Sequence, residues 1–111
     1  MTRPAVDGFR TLGNGDVILN DFVVPYYLDD RKLRISLARV DERLYAFHDL
    51  CTCGREACPL SGGLLTGTTI TCQCHGSRFD ITTGAVVSGP ATEPLSVYDV
   101  QEADGVVRIR I

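Results

Sequence analysis

The sequence predicts a single all-β domain, and three of its features support this prediction. Short runs of β-branched and aromatic residues alternate with turn sequences along the whole 111-residue chain. No stretch repeats apolar residues at the period of about 3.6 that marks an amphipathic helix. The length suits one domain, because a chain of this size buries roughly two thirds of its unfolded surface on folding. We therefore expect residues 1–111 to form one domain of antiparallel sheets.

The first half of the chain is predicted to hold a turn-rich arm and then a series of strands. Residues 1–16 are rich in Gly, Pro, Asp and Asn, which predicts an extended arm or turn. Strands are predicted at 17–19, 22–28, 32–40 and 44–47. Pro25 places its strand at a sheet edge or a bulge, because proline lacks the N–H that a central strand donates. Alternating charged and apolar side chains make 32–40 a half-buried strand, which the turn at Asp41 and Glu42 returns.

The second half is predicted to add further hairpins and the strands that close the basal sheet. Strands are predicted at 68–71, 78–81, 85–87, 95–100 and 106–111. Turns at Thr83-Gly84 and at Asp104-Gly105 join two pairs of them. Strands from both ends of the chain are expected to form a basal sheet or barrel, with a smaller subdomain from about residue 46 to residue 87.

The chemistry of the sequence is concentrated between Phe47 and Asp80, a stretch that contains all five cysteines and both histidines of the chain. Its clusters read Cys51-Thr52-Cys53 and Cys72-Gln73-Cys74-His75, with Cys58 alone between them. Thiolates and imidazoles at this density are typical of zinc or iron–sulfur sites. This stretch is therefore predicted to hold a metal centre.

The two clusters resemble those of the Rieske family of [2Fe-2S] proteins, in which Cys-x-His is followed about twenty residues later by Cys-x-x-His. The continuation His75-Gly76-Ser77-Arg78-Phe79-Asp80 is similar to the family's C-x-C-H-G-S-x-(Y/F)-D run. The resemblance implies a Rieske-like fold whose cluster-binding subdomain lies on hairpin tips. It also implies a [2Fe-2S] cluster as the cofactor.

The resemblance assigns the ligands of that cluster residue by residue. Cys51 and Cys72 would bind one iron, and His75 would bind the other. Cys53 occupies the position of the family's remaining histidine, so the resemblance implies a site of three cysteines and one histidine. The alternative is that Cys53 takes no part and that His48, the other imidazole in the chain, or water completes the site.

Family members with an extra cysteine in each loop join the two loops by a disulfide, and the resemblance assigns this bridge to Cys58 and Cys74. Two free buried thiols are the alternative, because the cytosol normally keeps thiols reduced.

Residues around the cluster are assigned in the same way. The hydroxyl of Ser77 would donate to a cluster sulfur and raise the reduction potential. Gly76 would let backbone amides approach the cluster, and Gly89 and Pro90 would belong to a loop that shields it.

Composition and charge narrow the class of partner. The net charge is −3 and the basic residues are scattered, so neither a nucleic-acid footprint nor a membrane-surface patch is predicted. The N-terminus lacks the apolar core of a signal peptide, and no stretch approaches the ~20 apolar residues of a spanning helix. A soluble cytoplasmic protein that binds other proteins is expected.

By its resemblance the chain is expected to be a ferredoxin, an electron-transfer component and not a complete enzyme. A reductase would be its electron donor, and an oxygenase or other oxidoreductase its acceptor. One alternative is a redox- or pH-sensing iron–sulfur module in which His75 and the Cys58–Cys74 pair report conditions to a partner. A zinc-binding structural domain is another, although zinc ribbons usually space each cysteine pair by two residues. A mainly structural Rieske-like domain of a dioxygenase or nitrite-reductase-like system is the third.

Overall fold

The computed structural model describes residues 9–52 and 58–111, which fold largely into β-strands. The strands are β1 (Phe9–Asn14), β2 (Val23–Leu28), β3 (Leu33–Val40), β4 (Arg43–His48), β5 (Leu64–Thr66), β6 (Thr69–Thr71), β7 (Arg78–Asp80), β8 (Val86–Ser88), β9 (Val97–Tyr98), β10 (Val100–Ala103) and β11 (Val106–Arg110). Two short 3-10 helices cover Gly15–Val17 and Leu60–Gly62. Neighbouring strands of each sheet are antiparallel. The prediction of an all-β fold is confirmed.

The strands form three sheets, with the orders β1-β11-β10, β2-β3-β4-β9 and β5-β6-β7-β8. The first two sheets form the basal part, to which both ends of the chain contribute because β1 pairs with β11. Within the described ranges none of the sheets closes into a barrel, so the basal part takes the sheet form of the predicted sheet or barrel. The third sheet presents the second cysteine cluster on the loop between β6 and β7.

Two apolar cores lie on opposite faces of β3. Ile35 and Leu37 pack into the core that joins the basal sheets, whereas Ala38 and Val40 pack into the core beneath the cysteine loops. All four side chains are at most 6% exposed. The prediction that this strand is half-buried is therefore wrong. The charged residues in the sequence suggested that part of the strand is exposed to solvent. However, Arg39 is itself buried, in an ion pair with Glu102.

The guanidinium of Arg39 joins three parts of the basal region. It donates to the backbone carbonyls of Ile18 at 2.6 Å and Gly15 at 3.0 Å, and to both carboxylate oxygens of Glu102 at 2.8 and 2.9 Å. The hydrogen bond from Arg39 lowers the pKa of Glu102 below its ordinary value. Strand β3 is thus tied to the segment after β1 and to β10, which fixes the two basal sheets against each other.

The structure differs from the predicted elements in the two terminal regions and before β6. Part of the predicted arm forms β1, and the predicted strand at 17–19 is wrong, because Gly15–Val17 is a 3-10 helix followed by the buried Ile18. The predicted strand at 95–100 is divided into β9 and β10, which pair with β4 and β11 respectively. Strand β5 was not predicted. Strand β1 depends on β11 at the other end of the chain, and β9 and β10 pair with different strands, which a local pattern does not reveal.

Candidate metal centre

The loop between β6 and β7 directs its cysteines and histidine to different environments. Cys72, the first residue after β6, is 1% exposed, whereas Cys74 and His75 lie at the exposed tip. The N–H of Cys72 donates to the carbonyl of Ser77 at 2.8 Å, and the N–H of Gly76 donates to the carbonyl of Cys72 at 3.0 Å. Gly76 has a φ of +76°, a left-handed conformation that favours glycine. The chain therefore turns tightly enough to bury one thiol and expose the imidazole.

The loop that follows β4 is closed at its base. An isolated antiparallel bridge joins Leu50 to Pro59, and the N–H of Cys51 donates to the carbonyl of Cys58 at 2.9 Å. Cys51 is 6% exposed and Cys58 is 3% exposed, so both side chains belong to the core beneath the loops. Cys53, the predicted third thiolate ligand, lies outside the described residues.

Asp49 anchors the base of this first loop, although nothing in the sequence pattern singled it out. Its fully buried carboxylate accepts hydrogen bonds from the Arg34 guanidinium at 2.8 and 3.1 Å and from the Ser36 hydroxyl at 2.6 Å. It also accepts the N–H of Ser61 at 2.8 Å. The donors come from β3 and from the returning arm of the loop, so one carboxylate joins both sides of the loop to the basal sheet.

A disulfide between Cys58 and Cys74 joins the two loops. Their Cα atoms are 6.4 Å apart, within the ~4.4 to 6.8 Å that such bridges span. The sulfur of Cys72 lies close to this bridge, since the sulfurs of Cys58, Cys72 and Cys74 are all within 4.8 Å of one another. The structure therefore contains the pairing that the resemblance implied, with a predicted ligand thiol beside it.

A third segment, residues 89–95, contacts both loops. The hydroxyl oxygen of Ser77, which is fully buried, accepts the N–H of Ala91 at 2.9 Å and so keeps its own proton for a further acceptor. The hydroxyl of Thr52 donates to the carbonyl of Glu93 at 2.6 Å. Gly89 and Pro90, the predicted shielding residues, are exposed and lie immediately before this contact. The segment thus contacts both loops through Ala91 and Glu93.

His48 is the last residue of β4. It pairs with Ile35 across the sheet and is half-buried. Its backbone N–H donates to the carbonyl of Ser96 at 2.9 Å. Burial lowers its pKa below the ordinary value, although the Asp49 charge acts in the opposite direction. His48, the alternative to Cys53 as the remaining ligand, thus lies on a strand that leads into the first loop.

The donor atoms suit an iron–sulfur cluster. The thiols of Cys51 and Cys72 are buried at the bases of two loops, and the imidazole of His75 is at an exposed tip that a disulfide holds near them. Soft thiolates with a borderline imidazole are the donors that such clusters take. The Ser77 hydroxyl accepts a hydrogen bond from Ala91 and still has its own proton to donate. It therefore adds a hydrogen-bond donor to the same loop.

A family model described as the Rieske [2Fe-2S] domain matches residues 12–99 of the chain. The match covers both cysteine clusters and most of the basal sheets. The protein belongs to this family, and its cofactor is a [2Fe-2S] cluster. Among the described residues no helix has the length and apolar character that crossing a membrane requires.

Individual relatives are similar over most of their length. Ferredoxin CarAc of Metapseudomonas resinovorans is 39% identical over 75 residues, which are 68% of this chain and 68% of that protein. The anthranilate 1,2-dioxygenase ferredoxin subunit of Burkholderia cepacia is 36% identical over 77 residues, or 69% of each chain. The structure of the Sphingomonas yanoikuyae B1 ferredoxin superposes with a TM-score of 0.82 at 28% identity, covering 92% of this chain and 97% of that one. A chain in the complex of reduced oxygenase and oxidized ferredoxin of carbazole 1,9a-dioxygenase gives 0.81 at 27% identity, covering 93% of each.

Proposed function

We propose that this protein is a ferredoxin that carries single electrons to the oxygenase of a multicomponent dioxygenase system. The observation that carries the proposal is the match to the Rieske [2Fe-2S] domain over residues 12–99, together with an exposed His75 at the loop tip. When bound, the cluster supplies one-electron chemistry. The relatives named as ferredoxin subunits of dioxygenases, and the solved ferredoxin–oxygenase complex, support the choice of acceptor.

The residues of the two loops have different roles in such a carrier. Cys51 and Cys72 sit in the apolar core, which keeps water from their sulfur atoms. His75 stands on the solvent side, where a docked partner comes within a short distance of it. The Ser77 hydroxyl is positioned by Ala91 to stabilise added negative charge through its hydrogen bond. Phe79, two residues further on and fully buried, offers no second hydroxyl.

We propose that Cys51, Cys53, Cys72 and His75 are the ligands of the cluster. The burial of the first and third of these, and the exposure of the histidine, support the set. Cys53 is included on the position it holds two residues after Cys51 in the sequence. We also propose that the electron donor is a reductase and that the protein is located in the cytoplasm. Both proposals rest on the resemblance and on the composition of the chain.

The test is a rapid-mixing experiment with the purified protein. We expect a coloured protein that takes up one electron per two irons and is reoxidised by a dioxygenase component within its turnover time. The Asp104→Asn variant, altered at the β10–β11 turn in the basal part, serves as the control and should behave like the wild type. A colourless protein that contains zinc, or a reduced cluster that no oxygenase component reoxidises, would disprove the function.

A further inference from the structure

The sheet of strands β5 to β8 packs on the core beneath the cysteine loops with one face only. Ile70 and Phe79 belong to that core and are fully buried, and Leu65 packs against it. Because side chains alternate along a strand, the residues between these lie on the opposite side of the sheet, here called the outer face. A surface depression of about 290 Å³ on the outer face is lined by Leu64, Thr66, Thr69, Thr71, Arg78 and Val87.

The outer face combines exposed apolar side chains with a cation. Leu64 is 66% exposed and Val87 is 55% exposed, although both are large aliphatic residues. Leu64, Thr71 and Arg78 lie in one row, since each pairs with the next across β5, β6 and β7. Val87 is the extra residue of a bulge in β8, and bulges redirect side chains. Exposed aliphatic side chains around an arginine are typical of surfaces that bind other proteins.

Within the described ranges, the guanidinium of Arg78 forms no ion pair with a carboxylate. Asp80, two residues further along β7, lies on the same face, but its Oδ1 already accepts the N–H and the hydroxyl of Thr82 at 2.9 and 2.7 Å. A second copy of this chain, packed through the same face, would offer Arg78 only another arginine and this engaged carboxylate. A partner protein with an acidic residue beside an apolar patch is a better complement to the outer face.

The outer face adjoins the loop that carries His75. Thr71 precedes this loop and Arg78 follows it, and a hydrogen bond from the N–H of Cys72 to the carbonyl of Ser77 closes its base. A six-residue loop extends at most about 10 Å from such a base, because its chain must return. A protein interface of ordinary size, about 800 Å² on each partner, is roughly 30 Å across. One docked partner can therefore cover the outer face and reach His75.

We propose that the outer face is a docking surface for the electron acceptor, which places a carboxylate on Arg78 and apolar side chains between Leu64 and Val87. This inference rests on the proposed function, because it takes the acceptor to be an oxygenase component that receives the electron near His75. Charge attraction to Arg78 speeds the encounter, and burial of the two aliphatic side chains slows dissociation. Small-molecule pockets usually hold about 300–1,000 Å³, so this small depression with exposed walls suits the side chains of a protein better than a free ligand.

The test is stopped-flow oxidation of the reduced, cluster-loaded protein by the oxygenase component that reoxidises the wild type. The initial slope of rate against oxygenase concentration measures docking, and the limiting rate measures the electron step. We expect Arg78→Glu to lower the slope at least about 10-fold at low ionic strength and to make it less sensitive to salt. Leu64→Gln should lower the slope about 10-fold at low and high ionic strength, because it removes apolar contact and no charge. Its limiting rate should stay unchanged, since the side chain acts in docking only.

Matched controls carry the same changes in the basal part. Arg108→Glu on β11 alters the net charge equally, and Leu19→Gln replaces a leucine that is 58% exposed. Both should give slopes close to that of the wild type. Visible absorption and circular dichroism show whether each variant keeps its cluster and its sheets. Because Arg78 follows Ser77 directly, the Leu64→Gln and Leu19→Gln pair decides the question if Arg78→Glu loses its cluster.

Equal slopes for Leu64→Gln and Leu19→Gln, or for cluster-loaded Arg78→Glu and Arg108→Glu, would overturn the docking surface. Slower reduction of the outer-face variants by a reductase, with unchanged oxidation by the oxygenase, would assign the face to the donor and would also overturn it. Failure of the proposed function appears in the wild type itself, which no oxygenase component would then reoxidise, and the docking proposal would fall with it.

Discussion

Replacing Asp49 by alanine tests whether its buried carboxylate holds the first loop in place. The substitution leaves the buried Ser36 hydroxyl and the partly buried Ser61 N–H without their acceptor, and an unsatisfied buried donor costs about 1–3 kcal/mol. The Arg34 side chain is 40% exposed, so water can solvate it in the variant. Loss of its ion pair with Asp49 therefore adds little to the decrease in stability. We expect Asp49→Ala to lower the free energy of unfolding by about 3 kcal/mol. Asp49→Asn, which keeps one acceptor oxygen, should lose about half as much.

Thermal unfolding followed by circular dichroism measures this effect, and visible absorption measures the lifetime of the cluster. A loss of about 3 kcal/mol lowers the midpoint by roughly 10–15 °C in a domain of this size. Cluster loss should be faster as well, because the carboxylate joins the loop to β3 just before Cys51. The control is Asp30→Ala, which removes the exposed pair with Arg10 and should leave both measurements unchanged. Equal midpoints and cluster lifetimes for the two variants would refute the anchoring role.

Three further predictions concern the loops and the basal sheets. Cys58→Ser should shorten the cluster lifetime while leaving the circular dichroism of the sheets unchanged, because the bridge joins loops and not strands. The ion pair of Glu102 with Arg39 should contribute its full stability to the fold above the ordinary glutamate pKa of 4.5. That contribution should be lost as the pH falls through the lowered pKa of Glu102 in the folded state, so the urea midpoints of the wild type and Glu102→Gln should converge in acid. Gly76→Ala and Gly105→Ala introduce similar strain at φ values of +76° and +77°, so both should lower stability, but only the loop variant should shorten the cluster lifetime.

The hairpins of the fold could be predicted because their signals are local. The turns at Asp41-Glu42 and Asp104-Gly105 have positive φ at both positions, the conformation of the tight turns that join β3 to β4 and β10 to β11. The [2Fe-2S] cofactor could be predicted as well, because the spacing of cysteines and histidine in the two loops is visible in the sequence.

The remaining features depend on contacts between distant parts of the chain. Strand β1 is stabilised by β11, and Arg39 is buried because Glu102, 63 residues later, neutralises it. Asp49 looked like an ordinary polar residue at the end of a strand, and only the fold brings Ser36 and Ser61 to its carboxylate. Buried charges of this kind follow from tertiary structure, since composition and periodicity place most charged residues at the surface.

The most direct test of the proposed centre is a potentiometric titration of the wild type and of Cys53→His, monitored by the absorption of the cluster. A thiolate in place of a neutral imidazole makes the centre more negative by one charge, so the wild-type potential should lie towards the value of about −400 mV found for all-cysteine plant-type ferredoxins. Cys53→His should raise the potential and add a second ionisation to its pH dependence. A variant that keeps its cluster with the same potential and the same pH dependence would show that Cys53 is not a ligand, and would contradict the three-cysteine, one-histidine centre.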